Sequence, residues 1–205
     1  RAVRLKAAYD KTDNWQGYNV ATAVLSHGID GLGASDANAL NLSRAGAKPD
    51  FTKLELDLKR LQYINQDWGA QISLMGQKAS GSLYSSEEFG YGGQAFGRAY
   101  DQSEVTGDEG IAAGLELRYQ SLPAWNGIQT MPYGFYDIGR AWNRNAGQDR
   151  VIDASSAGAG VRINHENGLS GGLQLAFPLT KDADAPLYDG NGANPRLGVQ
   201  FGYSF

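Results

Sequence analysis

From Arg196 to Phe205 the chain alternates strictly. Leu197, Val199, Phe201, Tyr203 and Phe205 point to one side; Arg196, Gly198, Gln200, Gly202 and Ser204 point to the other. A period of two is the mark of a β-strand with one apolar and one polar face. A soluble protein rarely ends on a fully apolar strand face, because termini fray. The last strand of a transmembrane barrel has a reason to do so, since it closes the sheet against lipid. The same alternation recurs upstream. In 51–60, Lys53, Glu55, Asp57 and Lys59 share one face, and Leu54, Leu56 and Leu58 the other. A soluble core would not bury four charges on one side of a strand without partners, whereas a watery lumen there costs nothing. In 110–121 the apolar face is Ile111, Ala113, Leu115, Leu117 and Tyr119, opposite Glu116, Arg118 and Gln120. Residues 157–163 group Ala157, Ala159, Val161 and Ile163, and residues 169–179 group Leu169, Leu173, Leu175, Phe177 and Leu179. Further strands are expected at 1–11, 17–30, 68–79 and 128–142, about nine in all.

The connections alternate short and long. Asp13–Gln16, Asn65–Asp67, Pro123–Gly127 and His165–Gly168 are short; 31–50, 81–108 and 181–195 are long, and 143–150 is intermediate. Tight periplasmic turns and long external loops give outer-membrane barrels this asymmetry. Trp15, Trp68 and Trp125 fall in or beside short turns, where an aromatic girdle would sit, and Trp142 lies toward the opposite interface. The alternation therefore puts the Phe205 end on the periplasmic side. The pattern predicts an all-β antiparallel transmembrane β-barrel in a Gram-negative outer membrane, as a single domain over 1–205. A soluble ligand-binding β-barrel is the alternative, and predicts release without detergent.

Composition changes this picture little. There are 205 residues with 28 Gly and 11 Tyr, which suit closely packed, aromatic-banded strands. Hydropathy alone would read the chain as soluble, but barrel strands need only every second residue apolar. The absence of cysteine leaves neither a disulfide framework nor a thiolate metal site. A net charge of −4 gives no argument for nucleic acid.

Two motifs narrow the reading. The 81–108 segment contains Gly90-Tyr-Gly-Gly-Gln-Ala-Phe96-Gly97-Arg98-Ala99-Tyr100-Asp101, and downstream stands Phe135-Tyr-Asp137-Ile-Gly139. The pair resembles the two signature motifs of the outer-membrane assembly and translocation barrels that carry POTRA domains. Ser103–Gly110, Asn41-Leu-Ser-Arg44 and Pro49–Lys53 narrow the resemblance to the transporter component of two-partner secretion (TpsB), the haemolysin- and haemagglutinin-exporting branch. Where the commoner wording is V-R-G-[FY], this chain has Arg98-Ala99-Tyr100. The resemblance implies that Arg98 stands at the tip of an inward-folded sixth external loop and that Asp137 is its acidic partner on the inner wall. It further implies export of a large, unfolded exoprotein through the lumen. A single-chain secretion protein carrying its own passenger would share both motifs. Family barrels have sixteen strands behind two POTRA domains, so the nine strands are expected to be the C-terminal part of such a barrel, with its first strands elsewhere. Lys53, Glu55, Asp57, Lys59, Glu116, Arg118 and Arg162 would line the lumen. Leu197, Val199, Phe201, Tyr203 and Phe205 would serve as the signal for the barrel-assembly machinery.

By parity Asp137 lies opposite Tyr136 and Ile138, so if those face lipid the carboxylate faces the lumen. Spacing by itself favours a solvated Arg98 and an Asp137 that merely lines water; the resemblance reverses that preference. Other constellations carry little. Asp182, Asp184, Asp189 and Asn191 lack the glycine and terminal glutamate of an EF-hand and read as a solvated loop. His27 and His165 stand apart, with His165 in a turn. Gly158-Ala-Gly160 precedes strand-like residues and is no phosphate loop; its glycines are expected to let the inward-folded loop approach the wall. No catalytic constellation, metal site or cofactor is expected.

Overall fold

The computed structural model describes residues 1–31, 43–44, 46–144, 149–180 and 194–205. Eleven strands follow one another there: β1 (Ala2–Thr12), β2 (Gly17–Gly28), β3 (Thr52–Tyr63), β4 (Trp68–Ala79), β5 (Phe89–Tyr91), β6 (Val105–Gly107), β7 (Glu109–Tyr119), β8 (Ile128–Trp142), β9 (Val151–His165), β10 (Leu169–Pro178) and β11 (Arg196–Tyr203). Nine of them form one antiparallel sheet in the order β1-β2-β3-β4-β7-β8-β9-β10-β11. β5 and β6 make a separate two-stranded ribbon inside the 81–108 segment. Ser85–Glu87 forms a single 3-10 turn, and no α-helix occurs among the described residues. The outer edges of β1 and β11 have no partner strand among them, so the sheet is not closed.

Two strands run further than the alternation indicates. β3 continues to Tyr63 and β9 begins at Val151, six residues before Ala157. Both extensions reverse the polarity of the faces. Arg60 and Gln62 pair with Asn19 and Gly17 on the face that carries Leu54–Leu58, while Asp153 pairs with Arg140 on the apolar face of β9. At the ends of a membrane strand the outer face leaves the hydrocarbon, so polar residues are tolerated there and the period-two signal inverts.

The outer face is a continuous apolar surface. Leu56, Ile72, Ile111, Leu115, Ile138, Leu173 and Phe177 are exposed on it, and Phe201 is 80% exposed. Large side chains in such a row belong against lipid. The sheet is curled with this face outward. Thr22 of β2 and Gln200 of β11 line one cavity of about 550 Å³, although the seven strand intervals between them would span about 33 Å in a flat sheet.

The 81–108 segment folds onto the concave side, where the main core forms. Phe89, Tyr91, Phe96, Ala99, Tyr100 and Val105 of the segment pack against Ala112, Tyr133, Phe135, Ala141, Ala154 and Ala176 of the wall. A smaller cluster joins Phe51, just before β3, to Ala79 at the end of β4 and to Leu83.

Candidate functional site

The loop acquires its shape from a few glycines. Beyond β5 the chain turns at Gly92, Gly93 and Gly97, all with positive φ, and Tyr100 N–H donates to Gly97 O at 2.8 Å. A Cβ at Gly97 would stand 2.5 Å from the Tyr91 ring, so the position excludes side chains both by conformation and by space. This turn presents Arg98 to the wall.

Arg98 meets Asp137 in a fork. Its Nε donates to Oδ2 at 3.0 Å and Nη2 to Oδ1 at 2.9 Å, while the Arg98 backbone N–H also donates to Oδ2, at 3.2 Å. The third guanidinium nitrogen, Nη1, donates to Glu116 Oε2 at 2.6 Å. The guanidinium plane lies over the Phe135 ring, its carbon 3.6 Å from the centroid. The Asp137 side chain is fully buried and that of Arg98 nearly so. Lysine would reproduce neither the fork nor the stacking.

Glu116 is shared by three guanidinium groups. Besides Arg98 it accepts from Arg118 Nε at 2.7 Å and from Arg162 Nη1 and Nη2 at 2.7 and 3.1 Å. Arg162 stacks 4.0 Å from the Tyr133 centroid, and Arg118 Nη2 donates to Gln71 Oε1. Three cations and two carboxylates thus form one network across β4, β7, β8 and β9. A shared carboxylate holds these like charges together while satisfying both its oxygens.

The remaining motif residues pack around this centre. Phe96 and Ala99 are buried, Tyr100 Oη donates to Ser155 O at 3.0 Å, and Asp101 forms an ion pair with Arg196 of β11. Gly139 makes room for the loop: a Cβ there would stand 2.3 Å from Tyr91, just as one at Gly110 would stand 2.1 Å from Phe89. Gly158 and Gly160, expected to admit the loop, instead clear space for the wall's own Phe135 and Tyr133. Burial, followed by the nearby Asp137 charge, pushes the Tyr91 phenol above its ordinary range.

The inner-face residues of β3 divide. Lys53 is buried, bridging Glu55 at 3.3 Å and Glu87 at 3.1 Å, whereas Asp57 and Lys59 line the cavity. Glu87 also pairs with Arg4 of β1. Burial works against its charge, but the hydrogen bonds from Arg4 and Lys53 prevail and hold its carboxyl below the usual range. The root of the loop is therefore tied to the strands opposite those that hold its tip. Leu197, Val199, Phe201, Tyr203 and Phe205 all lie exposed, the first four along β11.

A second buried arginine is not apparent from strand pattern. Arg44 forms a two-pronged ion pair with Asp108, donates to Asn143 Oδ1 at 2.8 Å and to Leu83 O at 3.3 Å, and lies 3.2 Å from Glu88. Asp108, fully buried, also accepts the backbone N–H groups of Leu83 (2.7 Å) and Arg144 (2.8 Å). Burial pushes the Glu88 carboxyl up, assisted by the Asp108 charge and opposed by Arg44. One guanidinium thus joins the segment before β3, both ends of the inward loop and the β8–β9 connection. Arg44→Ala should raise hydrogen exchange at 81–88 and 105–108 by at least about tenfold, since the buried Asp108 carboxylate loses its counter-ion. Unchanged exchange there would mean that the loop root holds itself.

Among the described residues no group of three or more His, Asp or Glu is placed to hold a metal. His27 meets Thr52 at 2.9 Å, and His165 accepts the Asn167 N–H within its turn. The acidic stretch with Asp182, Asp184, Asp189 and Asn191 lies outside the described residues.

No curated protein sequence matches the chain. Among solved structures, CdiB from Escherichia coli superimposes with a TM-score of 0.75 at 15% identity, over 98% of this chain and 35% of that one. The chain therefore shares the CdiB fold while spanning about a third of its length. The model of the haemolysin secretion/activation proteins ShlB/FhaC/HecB matches residues 4–163. With its open antiparallel sheet, lipid-type outer face and inward loop, the chain belongs to this family of outer-membrane β-barrel secretion transporters.

Proposed function

We propose that this chain forms the wall and the inward loop of a two-partner secretion pore, which passes an unfolded exoprotein through its lumen beside the Arg98 tip. The observation that carries this reading is the loop itself: a long connection fixed inside a membrane-type sheet by a buried guanidinium network. Such a connection leaves one side of the concavity free. The cavity beside the tip is bounded by Thr22, Asp57, Lys59, Ser73 and Gln71 across from Phe96 and Arg98. Small hydroxyls, amides and opposed charges make a wet surface to which an extended polypeptide would adhere weakly. The long loops face outside and the Phe205 end faces the periplasm. Because open sheet edges are not tolerated in lipid, further strands complete the barrel between β11 and β1. The exposed row from Leu197 to Phe205 supports a second role as the mark read by the assembly machinery.

A photo-crosslinker at Ser73, in the full-length transporter with its exoprotein stalled in transit, should capture the exported chain. The same group at Leu56, on the outer face, should capture lipid only. Failure at Ser73, with export intact, would place the path elsewhere.

A further inference from the structure

On the outer face, at the long-loop end, β4, β7 and β8 surround a groove of about 580 Å³ lined by Gln77, Lys78, Glu109, Ile111, Trp142 and Arg144. Register places Lys78 on the face of Leu54, and Glu109 beside Trp142 on the face of Ile111, so the groove opens toward the membrane and not the lumen. Lys78 and Arg144 both contact the Glu109 carboxylate, and Arg144 Nη2 also donates to Ala79 O at 3.1 Å. Two cations converge on one acid, leaving a net positive charge and N–H donors with no partner among the described residues; Lys78 is 74% exposed. Arg140, paired with Asp153, stands on the next outward position of β8. Directly below run the exposed apolar side chains Leu74, Ile111 and Ile138. The two cations, their shared acid and the Trp142 ring thus lie side by side across the strand ends, with an apolar wall on the strand positions that follow.

We infer that this groove binds the phosphorylated diglucosamine headgroup of an outer-leaflet lipopolysaccharide. A phosphate sits on the N–H groups of Lys78 and Arg144 that turn away from Glu109, a sugar lies against Trp142, and the acyl chains follow Ile111 downward. The chemistry requires a headgroup that carries both phosphate and a ring with an apolar face, which a glycerophospholipid lacks. The inference rests on the proposed orientation, with long loops outside.

The test uses the full-length, delipidated transporter in nanodiscs. Hexa-acyl lipid A carrying both phosphates should bind, and Lys78→Ala with Arg144→Ala should weaken it by at least about tenfold, the loss expected for two charge-assisted contacts. Lys78→Ala alone, at an exposed position where folding is not at issue, should weaken it several-fold, and Lys78→Arg should retain binding. Dephosphorylated lipid A and phosphatidylglycerol should both bind at least about tenfold more weakly than the bis-phosphate. Equal binding by the variants, by dephosphorylated lipid A or by phosphatidylglycerol would overturn the site. Orientation is read separately: an impermeant maleimide on intact cells should label Asp149→Cys and spare Gln66→Cys. The reverse labelling would overturn the orientation itself, and the lipopolysaccharide assignment with it.

Discussion

Replacing Arg98 by alanine in the full-length transporter is expected to abolish export while leaving the barrel assembled. The substitution strands Asp137, which has no access to solvent, and removes one of the three cations on Glu116. Breaking a buried pair by deleting one member costs about 3–5 kcal/mol, a shift of a hundredfold or more in the docking equilibrium of the loop. Because the loss falls on loop docking and not on strand pairing, heat-modifiability of the folded barrel should remain. Arg98→Lys should not rescue, since one ammonium cannot fork onto Asp137, reach Glu116 and stack on Phe135 together. A direct pair by itself would suggest that exchanging the charges, Arg98→Asp with Asp137→Arg, restores some export. The structure argues otherwise. An aspartate at 98 would face Glu116, and position 137 is closed by the inner wall, where even a Cβ at Gly114 would stand 3.0 Å from Asp137 Oδ1. Normal export by the alanine variant would remove the Arg98 network from the mechanism, and recovery by the exchange would reduce it to the direct Arg98–Asp137 pair.

Gly139→Val should produce the same loss of export with every charge in place. The added Cβ would fall 2.3 Å from a carbon of the Tyr91 ring, and that ring is completely buried between wall and loop. The ring has nowhere to move except with its ribbon, so the loop must lift from β8. Overpacking of this kind costs about 1–3 kcal/mol, which shifts docking by about fivefold to a hundredfold. Cysteine accessibility at Ala99, buried in the docked tip, reads the displacement directly and should rise in both Arg98→Ala and Gly139→Val. If Gly139→Val exports normally with Ala99→Cys still protected, the loop does not depend on close contact with β8. The two variants together separate charge from fit, since they share only the contact between loop and wall.

How far the site was legible can be judged from particular residues. The position of Asp137 on the inner face follows from Tyr136 and Ile138 by parity alone, because side chains alternate wherever a strand is regular. That it meets Arg98, 39 residues away, does not follow from parity; spacing favoured solvent for both, and only the motif resemblance joined them. Glu116 was readable as an inner-face carboxylate, but not as the centre of three guanidiniums. Arg118 lies two residues away on its own strand, whereas Arg98 and Arg162 come from a loop and from β9. The β5–β6 ribbon carries no strand signal, because three residues are too few to establish a period. Arg44 sits in a segment without alternation, and its partners Asp108 and Asn143 are 64 and 99 residues distant.

The sequence by itself determined about nine sheet strands, the apolar face of those with clear alternation, and the alternation of short and long connections. These are local consequences of a two-residue repeat against a nonpolar solvent, and they need no knowledge of neighbours. Tertiary structure decided what the concave side holds: a loop fixed at its tip by Arg98 and at its root by Glu87 and Arg44, with glycines cleared beneath its aromatic rings. Those choices depend on the curl of the sheet, which brings side chains from distant strands and loops within hydrogen-bond reach. Curvature and register are properties of all the strands together, and no single segment encodes them.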